Sequence, residues 1–185
     1  MKVINTFLAL FLMGLAVSCS TIYGVQYDYD KNANFASLKA YDWLPIPEKT
    51  NIDSLIIERV KNAVNAELQA KGLMMTSDNP DFLIATHLGQ KEKVQVTDHG
   101  YGYGPYGGYR RGYGGGSWGP GGITAYQYQE GSLILDFVGA NSKNLIWRGS
   151  AKAEVDNINT PEKSEKLINE AVQKILKNFP PHPKQ

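Results

Sequence analysis

The sequence predicts an α+β fold, a two-layer sandwich in which two amphipathic helices pack on one face of an antiparallel β-sheet. Three observations lead to this prediction. Two long segments, after Asp53 and after Thr160, carry apolar residues at the spacing of a helix with one buried face. Several shorter segments alternate apolar with polar residues, which is typical of half-buried strands. Three of these strands follow one another between residues 123 and 155, and this order excludes a doubly wound parallel sheet.

The first residues predict a secretory signal peptide. Lys2 supplies a positive start, and residues 7–17 form an unbroken run of eleven apolar or small residues. A membrane span needs about 20 residues, so this run has the length of a signal-peptide core. We therefore expect residues 1–18 to be a lipoprotein signal peptide and residues 19–24 to be a lipidated tether.

Cys19, the only cysteine in the chain, is expected to carry the lipid anchor. The stretch Ala16-Val17-Ser18-Cys19 resembles the lipobox of bacterial lipoproteins, in which the signal is cut before the cysteine and the cysteine is acylated, palmitate being one such acyl group. Several acyl chains on one residue bind a membrane durably. The alternative is a buried cysteine after an ordinary signal peptide. Ser20 stands where aspartate would favour the inner membrane, so we expect an outer-membrane lipoprotein that faces the periplasm.

Charge and length predict one compact domain without a nucleic-acid partner. Lysine plus arginine number 19 and aspartate plus glutamate number 18, so no overall field attracts nucleic acid. Residues 25–181 are long enough to form a single α+β domain with its own core. A flexible Gly/Tyr-rich loop at residues 99–122 is expected to interrupt this domain, and residues 182–185 form a tail.

The strands before the Gly/Tyr-rich loop follow from local pattern. Residues 25–30 alternate apolar and polar residues and predict the first strand. Residues 41–44 predict a second strand that ends at Pro45. Residues 82–96 predict a long strand that is apolar first and then charged, as expected of a strand that leaves the core for solvent.

Both helices have recognisable ends. Asn51 or Asp53 can cap the helix that runs to Lys71. Gly72 suits the left-handed position just past the end of that helix. Thr160 can cap the last helix in the same way.

The Gly/Tyr-rich loop is expected to join two neighbouring antiparallel strands. These strands are residues 82–96 and 123–130, and the loop at residues 99–122 is predicted to be poorly ordered between them. Gly131 is expected to break the second of these strands from the next one, at residues 132–138.

The last predicted hairpin has a register that separates charge from core. A turn at residues 139–143 places Asp136 opposite Arg148 as a structural ion pair on one face. The same register places Phe137 opposite Trp147 on the other face. Sorting of this kind fixes the register of a half-buried sheet.

Several of these pieces together resemble one protein family. They are FASLKAYDW before the first helix, NAELQAKG at its end, NPDFLIATH entering the long strand, and YQEGSLILDFVGANSKNLIWRGSA across the last hairpin. The sequence is similar to the domain-of-unknown-function family numbered 4136, found in bacterial envelope lipoproteins. The resemblance covers nearly the whole chain after the signal peptide. It implies a lipoprotein with an α+β domain and implies no catalytic activity.

The sequence predicts no catalytic centre, cofactor or metal site. The pattern G-x-G-x-x-G at residues 102–107 is not followed by a helix that could bind phosphate. The three histidines, His87, His99 and His182, are not spaced for a shared metal ion.

The Gly/Tyr-rich loop is the place where partner contacts are expected if it does more than connect strands. Arg110 and Arg111 are too few to predict a nucleic-acid site. Aromatic side chains on a glycine-rich loop can adapt to a protein or glycan surface. The residues expected to make such contacts are Tyr101, Tyr103, Tyr106, Tyr109, Tyr113 and Trp118.

We therefore expect a non-enzymatic, periplasm-facing outer-membrane lipoprotein that acts as a binding or structural module. Its expected partners are the membrane, through the lipid anchor, and another envelope component, namely a protein, peptidoglycan or lipopolysaccharide. One alternative is an envelope hydrolase that uses carboxylates near the Gly/Tyr-rich loop, such as Asp136 or Glu130. A second alternative is a purely structural, stress-related lipoprotein without a specific ligand.

Overall fold

The structure is a computed structural model that describes residues 22–46, 52–98 and 123–181. Within these ranges the chain forms one six-stranded sheet with two helices on one face, which confirms the α+β sandwich. Neither of these helices is long and apolar enough to cross a membrane. The elements are β1 (Ile22–Tyr29), β2 (Ala40–Trp43), α1 (Ser54–Ala70), β3 (Met74–Met75), β4 (Phe82–Asp98), β5 (Ile123–Gly139), β6 (Leu145–Glu154) and α2 (Pro161–Leu176). The order of the strands in the sheet is β1-β6-β5-β4-β2-β3.

Both helices begin next to side chains that cap them. The Asp53 carboxylate accepts a hydrogen bond from the Leu55 N–H at 2.9 Å, at the start of α1. The Thr160 hydroxyl accepts one from the Lys163 N–H at 3.3 Å, at the start of α2. The chain leaves α1 through Gly72, whose φ is 84°. Both predicted helices are therefore confirmed.

β4, β5 and β6 form an antiparallel meander. The predicted hairpin of β4 and β5 is confirmed, since the two strands pair continuously from Phe82–Gly139 to Asp98–Ile123. The predicted break at Gly131 is wrong, because β5 runs through it. A Cβ atom on Gly131 would lie 2.8 Å from Val155 Cγ1. The glycine therefore permits close packing of the chain that follows β6, and it does not end a strand.

The sheet is mixed, whereas the sequence predicts an antiparallel sheet. β2 pairs in parallel with both β3 and β4. The helix α1 connects β2 to β3, and a helical crossover returns the chain in its original direction. The strand β3 contains only two residues, which is too few for an alternating pattern to be visible in the sequence.

β1 begins at Ile22, three residues before the strand that the sequence predicts. Gly24 has a φ of 58°, and the register with β6 shifts between Tyr23 and Gln26. Such a bulge interrupts the alternation of side chains, and this hides the start of the strand. Residues 22–24, which were expected in the tether, therefore belong to the sheet.

Aromatic rings fill one end of the core. Phe179, which follows α2, packs edge-on against Phe137 and Trp147, with ring centroids 4.7 and 5.3 Å apart. Phe82 joins this aromatic cluster at 6.0 Å from Phe179. The buried hydrophobic residues of the described ranges all lie between Ile22 and Phe179. A chain that starts at residue 20 therefore keeps this whole core.

Candidate functional site

A cavity of about 750 Å³, partly open to solvent, lies between the helices and the sheet, at the end away from the aromatic cluster. The first half of α1 and residues 164–171 of α2 form one wall, and β4, β5 and β6 form the other. This volume is within the range of about 300–1,000 Å³ that is typical of small-molecule sites. Apolar side chains predominate in the lining, among them Ile56, Val60, Leu88, Leu133, Leu167 and Ile168.

Small residues account for the cavity. At one end of the core, Phe137 and Trp147 project from β5 and β6 and are fully buried. Towards the other end, the same strands place Gly131 and Ala151 in the cavity wall, and α2 places Ala171 there. Protein interiors are normally filled by side chains. Aromatic rings fill the core at one end, and the small residues at the other end leave the corresponding volume open.

Several polar groups at the cavity, those of Asp53, Gln90, Gln129 and Asp156, are already hydrogen-bonded within the protein. The Asp156 carboxylate accepts a hydrogen bond from the Gln129 N–H at 2.8 Å. The side chains of Gln90 and Gln129 are hydrogen-bonded to each other. The Asp53 carboxylate caps α1. A molecule in the cavity would therefore gain chiefly from burying apolar surface.

The other face of the sheet carries a first charged cluster, centred on Asp136. Arg148 lies directly opposite Asp136, in the register that the sequence predicts. Its guanidinium donates two hydrogen bonds to the carboxylate, and these raise the pKa of Arg148 above its usual value. His87 Nε2 lies 3.3 Å from Asp136 Oδ2. Asp136 is consequently buried although no helix of the described ranges covers this face.

A second charged cluster surrounds Glu130. The Tyr23 hydroxyl donates a hydrogen bond to Glu130 Oε2 at 3.0 Å. The Nζ atoms of Lys152 and Lys93 lie 3.6 and 3.9 Å from Glu130 Oε1. Desolvation opposes ionisation of Glu130, but the hydrogen bond from Tyr23 and the two lysine charges outweigh it and lower the pKa of Glu130. Desolvation and hydrogen bonds with Tyr128 and Glu130 raise the pKa of Tyr23.

The two clusters differ from a general acid site. Asp136 accepts hydrogen bonds from Nε and Nη2 of Arg148, and the pKa of Glu130 is lowered, whereas a general acid needs a raised pKa. Asp136 and Glu130 also lie on the face of the sheet opposite the cavity, since they alternate with Leu133 along β5. Among the described residues, no group of three His, Cys, Asp or Glu side chains could hold a metal ion.

The structure describes only part of the site predicted from sequence. It brings Asp136 and Arg148 together. Trp147 is fully buried, and the Trp43 indole donates to Asn65 Oδ1 at 3.1 Å. Cys19 and the expected contact residues of the Gly/Tyr-rich loop lie outside the described residues; the latter are Tyr101, Tyr103, Tyr106, Tyr109, Tyr113 and Trp118.

The cavity is a feature that sequence reasoning missed. One signal was available: Ala151 and Ala153 stand at inward positions of β6, where Trp147 stands earlier in the same strand. A change from large to small residues along one buried face indicates that a volume opens there. Its size depends also on α1 and α2, whose positions the local pattern does not give.

Comparisons with known proteins identify a family and a fold. A family model described as "Domain of unknown function (DUF4136)" matches residues 25–181. A crystal structure of a PDZ domain protein from Parabacteroides distasonis is similar, with a TM-score of 0.57 and 11% identity over 88% of this chain and 36% of that chain. This chain thus spans about a third of the length of that protein, and at this identity the likeness shows a shared fold. A PelC dodecamer from Paraburkholderia phytofirmans has a TM-score of 0.47 and 8% identity, over 82% of this chain and 92% of that chain. No curated protein matches this sequence.

Proposed function

The chain belongs to the DUF4136 family, and we propose that it is a non-enzymatic outer-membrane lipoprotein. In this proposal Cys19 carries the lipid anchor and the domain faces the periplasm. The domain binds the apolar chain of an envelope component. The binding site in this proposal is the cavity between the helices and the sheet. The ligand is a long alkyl or acyl chain, such as those of membrane lipids and lipopolysaccharide.

The cavity is the observation that carries the proposal. Its volume of about 750 Å³ and its apolar lining suit a flexible hydrocarbon chain. Each methylene group that leaves water contributes about 0.8 kcal/mol before the cost of ordering the ligand. The polar groups Asp53, Gln129 and Asp156 already have partners within the protein, so none of them requires a polar ligand.

The anchor part of the proposal is tested at Cys19. Metabolic labelling with radioactive palmitate should mark the wild-type chain, and Cys19→Ser should carry no label. The wild-type chain should sediment with the outer membrane. A labelled Cys19→Ser chain, or an unlabelled wild type, would contradict the anchor without bearing on the cavity.

The cavity part is tested with a soluble chain of residues 20–185 and a fluorescent fatty acid. The double variant Ala151→Leu with Ala171→Leu adds side-chain volume to two walls of the cavity. We expect saturable binding by the wild type and at least tenfold weaker binding by this variant, because the added side chains occupy the space that the chain would take.

A matched control is Ala70→Leu, at the exposed end of α1 and remote from the cavity. Circular dichroism shows whether each variant remains folded. The control should bind like the wild type. Absence of saturable binding by the wild type, or equal binding by a folded cavity variant, would contradict the proposed site.

A further inference from the structure

β4 and β5 continue beyond the rest of the sheet as a two-stranded arm, formed by residues 91–98 and 123–129. β6 pairs with β5 only as far as Glu130, opposite Glu154. β4 and β5 remain paired with each other to Asp98 and Ile123. In the described ranges, no third strand lies beside this arm.

The arm projects from the end of the sheet at which β1 begins. Ile22 pairs with Ala153, Ala153 with Gly131, and Gly131 with Gln90. These four residues therefore form one row across the sheet. The arm continues from Gln90 to Asp98, a length of about 26 Å at about 3.3 Å per residue.

The proposed anchor lies close to the same end. Cys19 precedes Ile22 by three residues, and three residues span at most about 11 Å. With Cys19 acylated, this short tether keeps the end of the sheet near the bilayer. The arm is more than twice as long as the tether, so an arm that points to the anchored side reaches the bilayer surface.

One face of the arm has residue types suited to that surface. Lys93 lies opposite Tyr128, and alternation along the strands places Lys91 and Tyr126 on the same face. At the base of this face Glu130 is balanced by Lys93 and Lys152, and Glu154 accepts a hydrogen bond from the Tyr126 hydroxyl, so among the described residues Lys91 is its uncompensated positive charge. Tyr126 is 51% exposed, and its ring is parallel to that of Tyr128 within 15°. Tyrosine is enriched at membrane interfaces, and lysine is attracted to anionic headgroups.

We propose that the Lys/Tyr face of the arm, formed by Lys91, Lys93, Tyr126 and Tyr128, binds the surface of an anionic phospholipid bilayer. This inference rests on the proposed lipid anchor for its orientation. The cavity shares this end of the sandwich, since Gln90 and Gly131 belong to its wall. Contact of the arm with the bilayer therefore brings the cavity close to a source of acyl chains.

The test measures binding of residues 20–185, without an acyl group, to vesicles of equal parts phosphatidylethanolamine and phosphatidylglycerol. The wild-type chain should sediment with these vesicles, and less of it should do so at high salt or with phosphatidylcholine alone. Lys91→Gln with Lys93→Gln should weaken binding at least about fivefold, because a lysine near an anionic surface contributes about fivefold and Lys93 also balances the charge of Glu130.

The matched control is Lys71→Gln with Lys177→Gln, which removes two exposed lysines at the other ends of α1 and α2. It should bind vesicles like the wild type. Equal losses in both double variants would indicate attraction by overall charge and would overturn the proposed face. Absence of vesicle binding by the wild type would overturn it too.

A second measurement does not depend on the stability of the lysine variants. The segment of residues 20–185 contains no cysteine, so Lys91→Cys and Lys71→Cys can each carry one polarity-sensitive fluorophore. Vesicles should shift the emission only of the label at position 91. An unshifted label there would contradict contact with the bilayer.

The two proposals fail separately. The arm variant should keep its affinity for a fluorescent fatty acid in solution, and the cavity variant Ala151→Leu with Ala171→Leu should keep its affinity for vesicles. Loss of vesicle binding in the cavity variant would show that the bilayer is bound through the cavity, and it would overturn the role of the arm.

Discussion

Arg148 donates two hydrogen bonds to Asp136 across β5 and β6. Its Nε lies 2.5 Å from Asp136 Oδ1, and its Nη2 lies 2.6 Å from Oδ2. The Asp136 side chain is only 8% exposed, whereas that of Arg148 is 51% exposed. A bidentate pair with one buried partner is stronger than an ordinary surface pair, and this pair joins the two strands where Asp136 faces Arg148.

Breaking the Asp136–Arg148 pair should destabilise the domain. We expect Asp136→Ala to lower the free energy of unfolding by about 2 kcal/mol, since it leaves the guanidinium without its buried acceptor. Arg148→Lys keeps the charge but loses the bidentate geometry, and it should cost about 1 kcal/mol. Urea unfolding of Asp136→Ala, of Arg148→Ala and of the double variant that combines them gives the coupling energy. Strictly additive effects would show that the pair does not stabilise the sheet.

Glu130 should make stability depend on pH on the acidic side. Its pKa is lower in the folded protein than the unfolded value of about 4.3. The stability that it contributes is therefore complete above the unfolded pKa and is lost as pH falls through the folded pKa. Urea unfolding should show that Glu130→Gln is less stable than wild type at neutral pH, and that the difference shrinks in strong acid. Removal of Lys152, as Lys152→Gln, should reduce this pH dependence; a constant difference across pH would contradict the assignment.

Phe179 should be among the costliest positions to truncate. It is 2% exposed and contacts Phe137 and Trp147. Phe179→Ala should lower the free energy of unfolding by about 3–5 kcal/mol, the usual cost of removing a buried phenyl ring. Phe179→Leu should cost less, because it fills part of the same volume. A loss under about 1 kcal/mol for the alanine variant, measured by urea unfolding, would place this residue outside the core.

Lys143 occupies a backbone conformation that favours glycine. Its φ is 57°, in the left-handed region, within the turn between β5 and β6. Lys143→Gly should raise the free energy of unfolding by about 1 kcal/mol, because the strain of a Cβ atom is removed. Asn79, with a φ of 51°, is the control, since asparagine tolerates this region and Asn79→Gly should gain less. Equal gains at both positions in thermal unfolding would contradict the role of strain.

Local features made most of the fold predictable. The caps at Asp53 and Thr160 define where the helices begin, and both signals are contained within a few residues of sequence. The opposition of Asp136 and Arg148 follows from alternation and a short turn. Each of these features depends on neighbours along the chain, which the sequence displays directly.

Features that depend on distant residues were not predictable. The sequence predicts a break at Gly131, but glycine is needed there because Val155, on another segment, packs against it. The parallel pairing of β2 with β4 depends on where α1 delivers the chain. The cavity requires small residues on β5, β6 and α2 together. None of these relationships has a signature within one segment.

The pairing of β1 has a consequence for the export that the proposed lipoprotein requires. Ile22 pairs with Ala153, 131 residues later in the chain, and the sheet order gives β1 no other neighbour in the described ranges. A chain that is secreted from its N-terminus therefore delivers β1 first and its partner almost last. In such a chain the edge strand waits unpaired until most of the polypeptide has been translocated, which exposes its backbone N–H and C=O groups for that time.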